Sequence, residues 1–143
     1  MSARETAERL SIVPLFQGCS SRQLRHIAGR GHELTYAAGK TIVEQGKYGD
    51  NFYVILDGSA RVVRNGRKVG ALGPGGWFGE IALLMSLLER SPRTATVIAE
   101  TEVRCFVLGK SEFRAVIYEQ QIASNLLHTM ARRLDAATKR PEP

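Results

Sequence analysis

Long hydrophobic runs are absent from this sequence of 143 residues. No stretch approaches the roughly 20 consecutive apolar residues that a membrane-spanning helix requires. Residues 1–10 are polar and charged, and they lack the apolar centre of a secretory signal peptide. We therefore expect a cytoplasmic protein without a membrane span.

Cysteine is also scarce, since the chain has only Cys19 and Cys105. Neither has a second cysteine or a histidine at metal-ligand spacing, so we expect no disulfide framework and no zinc site. The histidines lie in segments with a helical or loop pattern, whereas a metal site in a barrel needs inward-facing strand positions. They are His26, His32 and His128. With no Ser-His-Asp order and no Walker sequence, we expect neither a metal cofactor nor an enzyme.

What the sequence does have is enough apolar material for one core. Hydrophobic residues make up 43% and charged residues 24%, a balance typical of a folded chain. The length suits one domain, 1–143. The net charge of +6 favours an anionic partner, without choosing between nucleic acid, lipid and a small phosphate.

The first segment of the domain, about 1–33, has the pattern of helix and loop. Ser20 and Gln23 have the spacing of a capping box, and apolar residues follow on one face. The spacing predicts a short helix over 21–29. An apolar cluster at 13–16 is expected to pack against the core.

The middle segment, 34–108, carries short Val/Ile/Tyr-rich runs separated by glycines, a pattern typical of strands and tight turns. Asn65-Gly66 is the preferred pair for a type I′ turn, because both positions require a positive φ. We therefore predict a hairpin over 59–72, with Val62 opposite Val69.

A second hairpin is expected from 93–99 and 102–108, where the sheet would close. The segment 111–138 then returns to helical spacing, with Ser111 as an N-cap. One face of its longer helix is apolar and needs a partner. The residues of this stripe are Ile122, Leu126, Leu127, Met130 and Leu134.

The stretch 73–84 is chemically the most informative, because its pattern is that of a Gly-rich turn followed by an apolar segment of helical spacing. Free N–H groups at a helix start, together with the helix dipole, form an anion site. Arg93 would supply the countercharge as a bidentate fork. Glu80 would accept a hydrogen bond from a sugar hydroxyl. The alternative is a Gly-rich β-turn with an Arg–Glu pair on the surface.

The sequence Phe-Gly-Glu-Ile-Ala-Leu at 78–83 is followed by Arg-Thr-Ala-Thr-Val at 93–97. These two motifs, in this order, resemble the phosphate-binding cassette of the cyclic-nucleotide-binding domain family, which includes the catabolite activator protein and the regulatory subunit of protein kinase A. The glycine and apolar spacing of 39–58 is similar to the family as well. The resemblance covers about 10–135. It implies a mainly β fold with flanking helices, an eight-stranded jelly-roll-like β-barrel.

By this resemblance, Arg93 would bind the cyclic phosphate and Glu80 the ribose 2′-OH. The backbone amides of Ile81 and Ala82 would bind phosphate oxygens, and Thr94 would add a hydroxyl near the phosphate or the base. The other implied site residues are Phe78, Gly79 and Ala95 in the cassette, and Val62, Val69 and Leu72 on the purine side. The implied ligand is cAMP, with cGMP as the alternative, since a hydroxyl at position 94 suits both.

The spacing of the two motifs departs from the family pattern. Glu80 and Arg93 are 93 − 80 = 13 positions apart, longer than the usual spacing by roughly one helical turn. The extra residues, in 85–91, lengthen the cassette helix or form a loop that leaves both ends in place. If they displace Arg93, the site is a relic. Arg90 is then an alternative phosphate ligand.

The expected function is that of a sensor whose C-terminal helices close over the nucleotide and signal to an effector protein or a second copy. We expect no DNA-binding module, because the chain stops at Pro143, where a helix-turn-helix would follow. Trp77 is expected to pack over the core, and stacking on a purine is its alternative role. A non-binding interaction module that retains the fold is the alternative function.

Overall fold

The computed structural model describes residues 2–79, 92–117, 123–125, 127–128 and 131–132. Its helices are α1 (Ala3–Leu10), α2 (Ser21–Arg30) and α3 (Lys110–Ile117), with a 3₁₀ turn at Pro14–Phe16. Its strands are β1 (His32–Tyr36), β2 (Thr41–Val43), β3 (Phe52–Asp57), β4 (Ala60–Arg64), β5 (Arg67–Leu72), β6 (Trp77–Phe78), β7 (Thr96–Ala99) and β8 (Val103–Leu108). The described residues of 123–132 are helical.

The chain divides into a β unit, from Gly29 to Phe113, and a helical unit formed by the residues before and after it. In the helical unit, α2 begins with the expected capping box. The Ser20 N–H donates to Gln23 Oε1 at 2.8 Å, and the Gln23 N–H donates to Ser20 Oγ at 3.1 Å. None of the described helices is long and apolar enough to cross a membrane. The single domain over 1–143 stays a prediction.

α1 lies in the segment expected to be helix and loop, 1–33, where bounds were predicted only for the helix over 21–29. The Glu5 N–H donates to Ser2 Oγ at 3.2 Å, which caps the helix, and Leu10 is fully buried. The Ser-x-x-Glu spacing was the available signal. The expected N-cap at Ser111 is wrong, because α3 begins at Lys110 and Ser111 is its second residue.

The eight strands that the structure describes form two four-stranded antiparallel sheets. One has the order β1-β8-β3-β6 and the other β2-β7-β4-β5. Residues from both sheets form one hydrophobic core, since alternate side chains of each strand point inward. The core residues are Ile42, Tyr53, Ile55, Ala60, Phe78, Val97, Ala99, Val103, Cys105 and Val107. The prediction of a mainly β, jelly-roll-like fold with helices at its ends is confirmed.

The second hairpin expected over 93–108 is wrong, because its two strands belong to different sheets. β7 pairs with β2 and β4, whereas β8 pairs with β1 and β3. The chain changes sheets at a corner where the Glu100 N–H donates to the Ser59 carbonyl at 2.9 Å. The Ser59 N–H donates in turn to the Thr101 hydroxyl at 3.0 Å. These bonds join the connection from β3 to β4 with the connection from β7 to β8, and both connections pass from one sheet to the other.

Gly58 lies at the same corner and makes the close approach possible. Its φ is +90°, a conformation that side chains strongly disfavour. A Cβ there would collide with the Glu102 carbonyl and lie 2.9 Å from Thr101 Oγ1. Glycine is therefore required where the connection from β3 to β4 meets that from β7 to β8.

The hairpin predicted over 59–72 forms around its expected turn. Asn65 and Gly66 have φ values of +53° and +79°, as a type I′ turn requires. Val63 lies opposite Lys68, as the two-residue turn dictates. The turn chemistry was therefore read correctly from the sequence.

Beyond the turn, the register of this hairpin differs from the prediction by one residue. A β-bulge pairs Val62 with Gly70 and not with Val69. Val62 and Leu72 pack against the core, whereas Val69 is 54% exposed. Sequence alternation cannot reveal a bulge, because it assumes a period of two throughout.

The hairpin turn is bonded to the loop over 44–51, which follows β2. The Gln45 side-chain N–H donates to Asn65 Oδ1 at 2.8 Å, and the Asn65 N–H donates to Gln45 Oε1 at 2.9 Å. The Gln45 backbone N–H donates to the Thr96 hydroxyl at 2.9 Å. The loop is thus attached to both β4–β5 and β7.

The core also contains two hydroxyls and a thiol. Burial is the main reason that the pKa of Tyr36 is raised from its ordinary 10.0 to about 12. The neighbouring Tyr53 raises this pKa further, through its charge and through a hydrogen bond. Burial raises the pKa of Cys105 from 9.0 to about 12. Both groups keep their protons at neutral pH, so the thiol is not a nucleophile there.

These two groups predict a loss of stability in alkali. The unfolded chain releases both protons at a lower pH than the folded protein, so the free energy of unfolding falls as the pH rises from about 9 to about 12. Urea denaturation across this range should show the decline. The double variant Tyr36→Phe/Cys105→Val should show a shallower one. An equally steep decline in the variant would assign the effect to other groups.

Candidate functional site

The Gly-rich turn at 73–76 leads into the short strand β6, and the residues expected to begin the helix, from 80 onward, lie outside the described residues. Gly75, preceded by proline, has a φ of +87°, and the Gly76 N–H donates to the Gly73 carbonyl at 2.9 Å. This is the arrangement of a type II turn. The Gly75 N–H and the Gly76 carbonyl both bond to the Ile55 backbone at 2.8 Å. The turn therefore uses its amides within the fold.

β6 follows this turn and places two aromatic residues beside β3. Trp77 pairs with Val54, and Phe78 pairs with Tyr53. Trp77 is only 7% exposed, which confirms the interpretation of this residue as a packed one. Phe78 belongs to the core between the sheets.

Gly79, directly after β6, lies against Arg93. Its φ is +95°. A Cβ at this position would lie 2.5 Å from the Asn51 carbonyl oxygen and 2.9 Å from Arg93 Nη1. A side chain is therefore excluded here, and the backbone after β6 comes into close contact with the guanidinium.

The backbone of Arg93 is fixed by the loop over 44–51. The Arg93 N–H donates to the Lys47 carbonyl at 2.8 Å, and the Gly46 N–H donates to the Arg93 carbonyl at 2.9 Å. The next residue is bonded as well, because Arg64 Nε donates to the Thr94 carbonyl at 3.3 Å. The position of Arg93 is thus set by the fold on both sides of the peptide.

The guanidinium of Arg93 points inward. Arg93 is only 7% exposed, and among the described residues it is the one charged residue that is buried. Its Nη2 donates to the Asn51 carbonyl at 3.0 Å. Its Cζ lies 5.9 Å from the centre of the Tyr53 ring. A Cβ at Gly49 would lie 2.8 Å from Nη2, so a second glycine makes room for the group.

This arrangement is suited to binding an anion. A guanidinium presents five N–H donors in a planar fork that matches the oxygens of a phosphate or carboxylate. Burial lowers the local dielectric and strengthens its attraction for a negative charge. Within the described residues, no group of three or more His, Cys, Asp or Glu side chains is placed to bind a metal ion.

Part of the expected site lies outside the described residues. This applies to the residue expected at the ribose, to the two expected amides, to the alternative arginine and to the extra residues between the motifs. They are Glu80, Ile81, Ala82, Arg90 and 85–91. Their roles stay predictions.

The structure gives positions for the other expected residues. Phe78 and Gly79 are the last described residues before 80–91, and Gly79 adjoins Arg93. Thr94 is exposed and Ala95 is half-buried, directly after Arg93. Of the residues expected on the purine side, Val62 and Leu72 pack against the core, whereas Val69 is exposed.

Three residues around Arg93 were not identified as site residues from the sequence. Gly49, Asn51 and Tyr53 contact the guanidinium from the end of the loop over 44–51 and the start of β3. Asn51 acts through its backbone, which its side-chain type does not reveal. The glycines at 49 and 79 were a usable signal, because a glycine often marks a close approach to another group.

Comparison with known proteins assigns the chain to a family of ligand-binding domains. Residues 33–120, more than half of the chain, match the family model of the cyclic nucleotide-binding domain. The catabolite activator protein of Thermus thermophilus is 32% identical, with a TM-score of 0.77 and 87% of this chain covered. The N-terminal domain of a transcriptional regulator from Streptomyces coelicolor is 30% identical, with a TM-score of 0.68, and the match covers 94% of this chain and 98% of that domain.

A third relative is the regulatory domain of Toxoplasma gondii PKA, crystallised with cAMP. It is 26% identical, with a TM-score of 0.78 and 92% of this chain covered. This chain spans 59% of the length of the Thermus protein and 50% of that of the Toxoplasma one. From the family match and these relatives, the chain belongs to the cyclic nucleotide-binding domain family, whose members are regulatory ligand-binding domains.

Proposed function

We propose that this chain binds cAMP, with Arg93 as the ligand of the cyclic phosphate, and that its C-terminal helices transmit the bound state. The observation that supports this most directly is the burial of Arg93, at 7% exposure, with its backbone bonded on both sides. Removing a guanidinium from water costs several kcal/mol. A fold that keeps this buried charge in one position is well suited to an anionic ligand.

The cyclic phosphate is the part of the ligand that matches Arg93. It carries one negative charge and two exocyclic oxygens, which a guanidinium binds through parallel N–H donors. In this proposal, the backbone amides of Ile81 and Ala82 bind the same oxygens. Glu80 accepts a hydrogen bond from the ribose 2′-OH, and the Thr94 hydroxyl lies near the phosphate or the base.

The choice of cAMP rests on the relative that was crystallised with it, the Toxoplasma regulatory domain. Thr94 is compatible with either base, so cGMP is the competing ligand in the tests below. The purine would contact Val62 and Leu72, which pack against the core, and would cover Val69, which is 54% exposed. Apolar side chains suit the faces of a purine ring.

The proposed output uses the helical residues after α3. Leu127 belongs to the expected apolar stripe and is 69% exposed, so a partner surface could cover it. Asn125 Nδ2 donates to the Gln17 carbonyl at 2.8 Å, which connects this segment to the N-terminal part of the helical unit. We propose that nucleotide binding changes the packing of these helices and presents the stripe to an effector protein or a second copy.

The role of Arg93 predicts the effect of Arg93→Ala. Truncating one partner of a buried charge pair costs roughly 2–5 kcal/mol, or about 30-fold to several-thousand-fold in affinity. Isothermal titration calorimetry with cAMP and with cGMP should show this loss. Arg104→Ala is the matched control, because Arg104 lies in the same unit but is bonded to Asp57 at 2.7 Å.

Three outcomes of this titration would contradict parts of the proposal. Unchanged binding by Arg93→Ala would remove Arg93 from the phosphate site, and a loss in Arg90→Ala instead would transfer the role to that residue. Tighter binding of cGMP than of cAMP would reverse the base preference. No binding of either nucleotide by the unmodified chain would favour the non-binding interaction module.

The role of Glu80 predicts discrimination against a ligand that lacks the 2′-OH. A buried acceptor left without its donor costs on the order of 1–3 kcal/mol, and more when it is charged. 2′-Deoxy-cAMP should therefore bind at least about fivefold more weakly than cAMP in a competition assay. In Glu80→Gln the difference between the two ligands should shrink. Equal affinities in the unmodified chain would assign Glu80 another role.

The proposed output predicts ligand-dependent protection of the C-terminal helices. Hydrogen exchange of the full chain, measured by mass spectrometry with and without cAMP, should slow in peptides that cover 119–138 as well as in those that cover 78–95. A change restricted to 78–95 would indicate a static receptor. Arg93→Ala at the same cAMP concentration is the control, because it should show neither change.

A further inference from the structure

We propose that Tyr53 is a positioning residue of the phosphate site, whose ring face orients the Arg93 guanidinium for the ligand. This inference rests on the proposed function, and it adds a residue that binds no part of the nucleotide itself. Two contacts of Tyr53 carry the inference. Its ring is stacked with that of Phe78, and the Arg93 guanidinium lies over the Tyr53 ring.

The two rings form a flat and rigid base. Their centres are 4.7 Å apart and their planes differ by 7°. The pair is set by the backbone, because Tyr53 lies opposite Phe78 in the ladder between β3 and β6. Tyr53 also lies opposite Val107 of β8, so its strand is paired on both sides. With only 5% of its surface exposed, the Tyr53 side chain has little room to change rotamer.

The hydroxyl of Tyr53 forms a hydrogen bond with Tyr36, which lies at the end of β1. The position of the ring itself is set by the strand pairing of Tyr53 and by its stacking with Phe78. We therefore expect the ring face to keep its place when the hydroxyl alone is removed.

The other described contacts of the guanidinium are one hydrogen bond and two close approaches of the backbone. Gly49 and Gly79 provide space but no side chain, and Asn51 provides one backbone carbonyl. An aromatic face carries a negative quadrupole, so a cation is attracted to it with a defined tilt. The Cζ–centroid distance of 5.9 Å lies at the outer limit of such contacts. We therefore expect a moderate contribution.

A purely structural role of Tyr53 in core packing makes different predictions from a positioning role. Packing depends on the shape of the ring, whereas the attraction of a cation depends on its electrons. Tyr53→Phe keeps both, and Tyr53→Leu removes the ring. Substitution of Tyr53 by pentafluorophenylalanine keeps a flat ring but reverses the sign of its quadrupole. Phe106→Leu is the control for loss of a buried aromatic residue on the other face of the same sheet, since Phe106 is 1% exposed and lies outside the core cluster.

The first measurement is the affinity for cAMP by calorimetry. Tyr53→Leu and the pentafluoro variant should each bind about tenfold more weakly, whereas Tyr53→Phe and Phe106→Leu should stay within about twofold of the unmodified chain. Should Tyr53→Leu fail to fold, the pentafluoro variant alone decides. Unchanged affinity of the pentafluoro variant would overturn the positioning role while leaving cAMP binding intact.

The second measurement needs no ligand. The Nε–H signal of Arg93, assigned by its absence in Arg93→Lys, reports the ring beside it in a ¹H–¹⁵N NMR spectrum of the free protein. It should shift in Tyr53→Leu and in the pentafluoro variant, and keep its position in Tyr53→Phe. If these shifts occur and the chain binds no cAMP, the contact stands and the proposed function fails. If the signal does not respond to Tyr53→Leu, the contact itself is refuted.

Discussion

Burying one guanidinium inside a two-sheet β structure is the constraint on which the site depends. An ion of this size loses several kcal/mol of hydration in the interior, so its surroundings must supply compensating contacts. Here the Asn51 carbonyl and the Tyr53 ring face supply two of them. Glycines at 49 and 79 allow the backbone to come close enough. Replacing any of these features would change the position or the cost of the charge.

The topology explains why distant segments meet at Arg93. The loop over 44–51 takes the chain from the sheet of β2 to that of β3, and the segment from β6 to β7 takes it back. The described ends of the second segment, at Gly79 and Arg93, lie near the start of β3, where Arg93 bonds to Lys47 and Asn51. Another pair of crossings, at Ser59 and Glu100, lies at the other end of β3. This strand thus separates that corner from the proposed phosphate site.

Local chemistry was readable from the sequence, whereas contacts between distant residues were only partly so. The capping box at Ser20 and the turn at Asn65-Gly66 follow from side-chain chemistry within four residues, and both form. The hairpin at 93–108 failed, because a sheet change and a hairpin have the same signature of two apolar runs around polar residues. Arg93 was identified through a motif. The contact of Tyr53 with Arg93 was not identified, because the position of the Tyr53 ring depends on its partner in a neighbouring strand, Phe78.

The amide pair between Gln45 and Asn65 has a consequence for engineering. An exposed hairpin tip is normally a favourable place to insert a reporter domain, since such tips tolerate insertions. The tip at Asn65-Gly66 is exposed, yet through Gln45 it is bonded to the loop whose next residues, Gly46 and Lys47, fix the Arg93 backbone. A fluorescent protein inserted there would disturb the ligand site from a distance. The exposed turn between β1 and β2 is the better place for a reporter, because its described bonds to other strands, from Gly39 and Lys40, run to Ala99 of β7 at the corner near Glu100.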